Sequence, residues 1–294
     1  MKALIDVAVP AITFVLLAAV GLDLTAADFD RVRRQSAVLF AGLVAPLLLL
    51  PPLAVFLVSI FRPDASTTAG LLLVAACPIG GIANTYSYLA RASTALSITL
   101  TALSCLFAGL TIPLAGAGLE WMIRQHVDIV PPSAGLVVRL LLMLSLPVGL
   151  GMWIRSKAPA FAVRYRPQLQ RGALAAIAVI LALVILESPR AFAGELRTTV
   201  PLAAAFVVGS MAAGWLTSLI VTTDRRDRFT LAAEFGTRNF AAATAIAVTM
   251  LGRIEFARFA TTYFLIELPI MMVAIWLFLR SAPPPPLPPH HRQR

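Results

Sequence analysis

The chain has 294 residues, of which 59% are hydrophobic and only 13% charged, where a soluble domain carries about a quarter charged residues. So little charge cannot cover the apolar surface of one aqueous core, so lipid is the solvent for most of the chain. The net charge of +10 does not indicate a nucleic-acid partner, because the 24 Lys and Arg lie almost wholly between apolar runs rather than along one polar face.

A spanning helix needs about 20 mostly apolar residues. Walking the chain in order gives spans near 3–22, 37–61, 67–90, 94–119, 134–154, 172–187, 198–222, 228–251 and 256–280, about nine in all. The first stretch, MKALIDVAVPAITFVLLAAV, has the outline of a signal peptide. Asp6 and Pro10 interrupt its apolar run and no small-residue cleavage site follows, so it reads as the first span. With the N-terminus outside, the inner segments hold fifteen Lys and Arg, among them Arg31, Arg33, Arg34, Arg91, Arg155, Lys157 and Arg225. The outer ones hold eight, and Arg238 stays inside a span. Positive residues favour the cytoplasm, which predicts an inner or plasma membrane protein with its N-terminus out and C-terminus in. Cys77 and Cys105 sit in apolar stretches without disulfide or metal-ligand spacing and read as packed thiols. Trp121, Trp153 and Trp215 lie toward span ends as interfacial anchors, and His126 is a loop histidine. The proline-rich stretch 281–294 reads as a disordered cytosolic tail after a single transmembrane domain, 1–280.

Two spans break. The third, LLLVAACPIGGIANTYSYLAR, has Pro78, Gly80 and Gly81 in its middle, followed by Asn84, Thr85 and Ser87. The eighth, FTLAAEFGTRNFAAATAIAV, holds Glu234, Gly236, Thr237, Arg238 and Asn239 within one apolar segment. Backbone freed by Pro and Gly at that depth is tolerated only inside protein or beside a water-filled cavity. Discontinuous helices of this kind build midplane sites in transporters. If each half derives from a unit of five helices and the first is absent here, both breaks fall at the fourth position. Five is odd, so the second copy is inverted and the two broken helices cross.

These residues resemble the bile acid:sodium symporter family. GLDLTAADFDRVRR is similar to the family's G-x-x-L-T-x-x-D-F. CPIGGIANTYSYLARASTALSITLTALS follows CPGGxxSNxxTYLARGxxxLSxxxTxxS without gaps, and EFGTRN is similar to E-x-G-x-Q-N. The resemblance implies a core domain (spans near 37–119 and 198–280) carrying the crossed helices, and a panel domain (spans near 3–22, 134–154 and 172–187). It also implies alternating access, with substrate in the crevice between them. Carried over by position, the family's first sodium site maps to Asn84, Ser97, Thr101 and Glu234, hard oxygen donors suited to a hard cation, while the family serine beside the asparagine is Ala83. At the second site a glutamine becomes Pro46 and the glutamine of E-x-G-x-Q-N becomes Arg238. Arg238 presents only donors and keeps its charge, so it reads as a built-in cation in place of the second sodium.

Glu267, where the family has uncharged polar residues, is a further departure. A carboxylate facing lipid is expensive, so it is expected inside the bundle, partnered by Arg238 or by the Glu234 site. Two alternatives stand for it, a neutral structural glutamate near the outer leaflet or a substrate or proton site. If Arg238 is not neutralised by Glu267, it is placed to clamp a substrate carboxylate. Asn239, Arg238, Glu267 and Thr85 are therefore the substrate residues expected, with Tyr86 and Ser87 lining the same crevice. The function expected is a secondary transporter coupling Na⁺ to a small organic anion, the alternative being a proton-coupled or uncoupled transporter of the same fold. A membrane enzyme or sensor is disfavoured, since no H-E-x-x-H, G-x-S-x-G or P-loop occurs.

Overall fold

The computed structural model describes residues 2–23, 36–123 and 134–281. The Arg31–Arg34 stretch, His126 and the tail from 282 onward lie outside the described residues, as does the Trp121 side chain. Apolar sequence in lipid has to satisfy its backbone within itself, and helices are the single-segment way to do so. The described residues accordingly form α1 (Lys2–Asp23), α2 (Ser36–Phe61), α3 (Ala65–Ala76), α4 (Ala83–Leu89), α5 (Thr94–Ile123) and α6 (Ala134–Leu140). A π-helical turn (Leu141–Ser145) then leads into α7 (Leu146–Lys157). After it come α8 (Pro159–Glu187), α9 (Pro189–Val221), α10 (Arg225–Gly236), α11 (Phe240–Thr249) and α12 (Ile254–Arg280). The π-helical turn sits where Pro147 cannot donate a backbone bond, and Leu146 N–H reaches back to the Leu141 carbonyl instead.

The chain is an all-α, polytopic membrane protein. By length and composition, five described helical segments can cross a bilayer: Ser36–Phe61, Thr94–Ala115, Val137–Lys157, Pro189–Val221 and Ile254–Arg280. These long helices turn Phe40, Leu48, Phe56, Ile220 and Leu277 outward, as lipid-facing surfaces do. Two helices start earlier than expected from hydropathy. α8 begins at Pro159 rather than near 172, and α9 at Pro189 rather than near 198, each with proline in its first turn. The early turns of α9 are anchored by Glu195, which Arg258 of α12 pairs at 2.8 Å.

The two expected breaks are present. Asp64 caps α3 by accepting from Thr67 N–H at 2.9 Å, and Asp224 caps α10 by accepting from Arg226 N–H at 2.8 Å. Both helices stop in mid-bundle, and short α4 and α11 follow them. Three of these elements lie deepest: Leu71 to Ala76 of α3, Phe229 to Gly236 of α10 and Phe240 to Val248 of α11 are all buried, whereas α4 exposes Thr85, Tyr88 and Leu89. On one flank α1 and α7 approach closely through glycine. A Cβ on Gly21 would lie 2.1 Å from the Val148 carbonyl oxygen, and one on Gly151 2.1 Å from that of Ala18. Small residues let membrane helices pack backbone to backbone in this way.

Candidate functional site

Breaking two helices in lipid frees backbone groups, and the structure pairs them across the break. Gly80 N–H donates to the Thr237 carbonyl at 3.1 Å and Asn239 N–H to the Pro78 carbonyl at 2.8 Å, so Ile79 and Arg238 form an isolated antiparallel bridge. Gly80 is tightly placed here: a Cβ would meet the Arg238 carbonyl oxygen at 3.0 Å, so the facing backbone would have to give by a few tenths of an ångström. The remaining groups go to side chains. Ile79 N–H donates to Ser104 Oγ at 3.1 Å, and Arg238 N–H donates to the Tyr263 hydroxyl at 2.8 Å, which itself donates to the Gly236 carbonyl at 2.5 Å. The Arg238 guanidinium donates to the Cys77 carbonyl through Nη2. That carbonyl belongs to the residue capping the C-terminal end of α3, where a helix dipole favours positive charge.

Four residues expected at one ion site come together beside this bridge. Ser97 Oγ stands 2.9 Å from Asn84 Oδ1 and in hydrogen-bond contact with Glu234 Oε1. Thr101 Oγ1 stands 3.3 Å from Asn84 Oδ1 and 3.2 Å from Glu234 Oε2. Each hydroxyl owns one proton, and the Asn84 amide turns toward them either one acceptor oxygen or two N–H donors. With the oxygen inward, as here, the side-chain oxygens converge on a place that a cation would stabilise; with the amide reversed, the four contacts close into a ring of hydrogen bonds. Ser97, Thr101 and Glu234 have no exposed surface. Ala83 is buried beside them and offers no hydroxyl.

Above the bridge lies a cavity of about 970 Å³. One wall is apolar, built by Leu16, Leu17 and Leu22 of α1 with Leu169 and Ile177 of α8. The other carries Asn84, Thr85, Arg238 and Asn239. The cavity reaches toward the C-terminal end of α1, where Asp23 lines it. On the opposite side of the break the N-terminal half of α1 closes against α11. Ile5 and Val9 pack on Ala245 and Val248, and Thr13 Oγ1 donates to the Ala241 carbonyl at 3.3 Å.

Three of the expected substrate residues thus line one cavity and Glu267 does not. Asn239 has a second occupation: its Oδ1 caps α11 by accepting from Ala242 N–H at 3.0 Å. The partners expected for Glu267 are corrected. It sits at the middle of α12, beside Thr237 of the second break. Its polar neighbours are the hydroxyls of Tyr86, Thr237 and Tyr263. Arg238 is within electrostatic range, but neither carboxylate oxygen of Glu267 makes a hydrogen bond, and Nε and Nη1 of Arg238 are likewise unpaired. Arg238 is directed instead to the Cys77 carbonyl, a helix-end acceptor that the first break leaves without an intrahelical donor.

Residues 10–195 match the profile of the Sodium Bile acid symporter family. The chain belongs to this family. Its members are transporters rather than enzymes. The match takes in the first break and the Asn84–Thr101 stretch, while Glu234, Arg238, Asn239 and Glu267 lie beyond its end. Among relatives of this sodium bile acid symporter chain is a probable sodium/metabolite cotransporter, BASS1, chloroplastic, of Arabidopsis thaliana. It is 25% identical over 232 residues, covering 79% of this chain and 57% of the relative. The uncharacterized sodium-dependent transporter YocS of Bacillus subtilis is 30% identical over 138 residues, 43% of either chain. Sodium/bile acid cotransporter 4 of Homo sapiens is 28% identical over 223 residues, covering 73% of this chain and 49% of the relative. The chain spans about half the length of the curated relatives it matches.

Two positioning residues escaped the sequence reading. Ser104 follows Ser97 and Thr101 at helical spacing, so one face of α5 carries all three hydroxyls, and this signal was available. Tyr263 lies in an apolar helix and its sequence surroundings give no sign that it holds the second break. Cys77 and Cys105 are buried free thiols. Trp153 and Trp215 are 60% and 38% exposed, in keeping with outward-facing positions.

Proposed function

We propose that the protein is a sodium-coupled secondary transporter of a small organic anion, working by alternating access. The observation that carries this is the convergence of the Asn84, Ser97, Thr101 and Glu234 side-chain oxygens on one place beside the breaks, since hard oxygens around one carboxylate suit a hard monovalent cation. Asn84 also lines the cavity, so one side chain borders both ion and substrate and gives the coupling a short path. The cavity is of the size that encloses drug-sized ligands. Its apolar wall meets an apolar body, and Arg238 on the opposite wall supplies the positive charge that would draw an anionic end group.

Nine spans, with α3–α4 and α10–α11 as inverted counterparts, account for the paired breaks. α1, α6–α7 and α8 form the panel that slides against the core of the remaining helices. With the N-terminus outside, the cavity lies on the cytoplasmic side of the bridge and the seal of α1 on α11 on the outer side, an inward-facing state. The relatives named for sodium coupling support Na⁺ over a proton as the driving ion.

The first test needs no substrate. Melting temperature of the purified protein in detergent is titrated with NaCl against KCl at constant ionic strength. A ligand that binds only the folded state stabilises it by about 2.7 kcal/mol at a hundredfold excess over Kd. A Na⁺-specific rise that is lost in Glu234→Gln is expected. Identical curves in NaCl and KCl would overturn sodium coupling and leave a proton-coupled or uncoupled carrier, with Arg238 as the resident cation.

A further inference from the structure

α8 holds 29 residues, and only its second half is continuously apolar. Ahead of Gly172, Phe161, Arg164, Tyr165, Gln168 and Arg171 are all exposed, and intervals of three and four residues put them on one side of the helix. The opposite side, formed by Ala162, Leu169, Ala173 and Ile177, lines the cavity. Phe161 and Tyr165 pack ring to ring at 4.6 Å, and the Arg164 guanidinium lies 5.9 Å from the centre of the Tyr165 ring. At the corner where α7 gives way to α8, Arg155 and Lys157 add two further cations near an exposed Trp153, and Arg155 Nη1 donates to the Pro159 carbonyl at 3.4 Å. Arg155, Lys157, Arg164 and Arg171 have no ion-pair partner among the described residues, and the sequence carries no acidic residue between Asp128 and Glu187.

Cations gathered this closely repel one another unless something negative lies against them. Depth in the bilayer says what that is. Arg171 stands at the edge of the apolar stretch, and Arg164, two turns earlier on the same side, is about 10 Å farther out at the helical rise. The headgroup layer on either side of the hydrocarbon core is about 5–8 Å deep, so the face crosses it from one edge to the other. Exposed Trp and Tyr settle at that same level. A guanidinium binds a phosphate through paired N–H donors. A zwitterionic lipid brings its own ammonium and is partly repelled by a face without carboxylates, whereas an anionic lipid brings the phosphate alone. The substrate is not the occupant, because the face points away from the cavity.

We infer that the exposed face of α8, together with Arg155 and Lys157, is a docking site for the phosphate headgroup of an anionic phospholipid. The leaflet is the cytoplasmic one under the orientation proposed for the transporter; the docking itself does not depend on that reading. Headgroup and substrate then lie against the two sides of one helix, and the lipid braces the cavity wall from behind.

The test is the melting temperature of the full chain in detergent, titrated with phosphatidylglycerol, with phosphatidylcholine of the same acyl chains, and with inorganic phosphate. It is read in KCl without Na⁺, so it stands or falls apart from the sodium titration. A rise specific to phosphatidylglycerol is expected, since a ligand of the folded state stabilises that state. Each basic residue at an anionic surface is worth roughly fivefold in affinity, so Arg164→Gln combined with Arg171→Gln should raise the phosphatidylglycerol midpoint about 25-fold. Arg155→Gln combined with Lys157→Gln should act in the same direction, and this pair decides the matter if the first does not fold. Arg62→Gln, which removes an exposed cation just past the C-terminal end of α2, should leave the midpoint in place. Equal rises in the two lipids, or a midpoint unmoved in both pairs, overturn the site. The same rise with inorganic phosphate makes the occupant a free anion and overturns the lipid. A comparable loss in Arg62→Gln reduces the effect to general surface charge and overturns the site as well.

Discussion

Glu234 and Glu267 are both fully buried and both within electrostatic range of Arg238, yet they keep different company. Around Glu234, two hydroxyls reach the carboxylate and also meet the Asn84 amide, so four side chains close on one place. Around Glu267, two hydroxyls stand near and bond to nothing. One pocket is tightly knit by α5, which carries Ser97 and Thr101 a single turn apart. The other is assembled from three elements that meet only in the folded bundle. The difference teaches that a buried acid is defined by the donors its neighbours can spare. α5 pre-arranges its pair through helix geometry, whereas Tyr86 and Thr237 depend on how the two breaks are set against α12.

The largest expected effect tests the tight pocket. Glu234→Gln removes its only charge, and leaving a buried charge without its partner costs about 3–5 kcal/mol, so apparent Na⁺ affinity should fall more than 100-fold in the NaCl titration. The same pair of residues gives a sharper contrast in KCl alone. There, Glu267→Gln removes an uncompensated carboxylate and should raise the melting temperature by about 2–4 °C, while Glu234→Gln, which loses a bonded acceptor, should not. Equal shifts in the two variants would erase the distinction between the pockets. Arg238→Gln takes a positive charge from beside Glu234, so Na⁺ should bind roughly five- to tenfold more tightly. No change there would mean the guanidinium acts on Cys77 alone. Thr101→Val deletes one neutral oxygen at a cost of about 1 kcal/mol, seen as a several-fold higher Na⁺ midpoint with an unchanged slope. Smallest is Asn239→Ala, which loses the α11 cap at about 1 kcal/mol. Its check is a lower melting temperature in NaCl and KCl alike.

Much of this was legible in the sequence. Apolar runs located the helices because lipid leaves the backbone no other solution, and Pro78, Gly80, Gly81 and Gly236 marked where two of them stop. Asn84, Ser97, Thr101 and Glu234 were found by resemblance, and the fold brings them within hydrogen-bond distance. The starts of α8 and α9 were not legible, since hydropathy measures contact with lipid and a helix extends past the membrane wherever proline and polar residues permit. The direction of Arg238 was equally hidden. Its charge suggested a carboxylate, but which acceptor it meets is set by the carbonyl that the first break leaves exposed, and that is a matter of three-dimensional register. The neighbours of Glu267 come from residues more than a hundred positions away in one case, so local pattern could not find them.

The joint between the two breaks is made by Gly80 N–H on the Thr237 carbonyl and Asn239 N–H on the Pro78 carbonyl. Every residue except proline supplies those atoms, so the joint is insensitive to the identity of the side chains at Ile79 and Arg238. Those positions are free to vary in charge while the helices stay locked at the same point. A substitution at either position therefore changes the charge at the crossing while both backbone bonds that hold the crossing remain available.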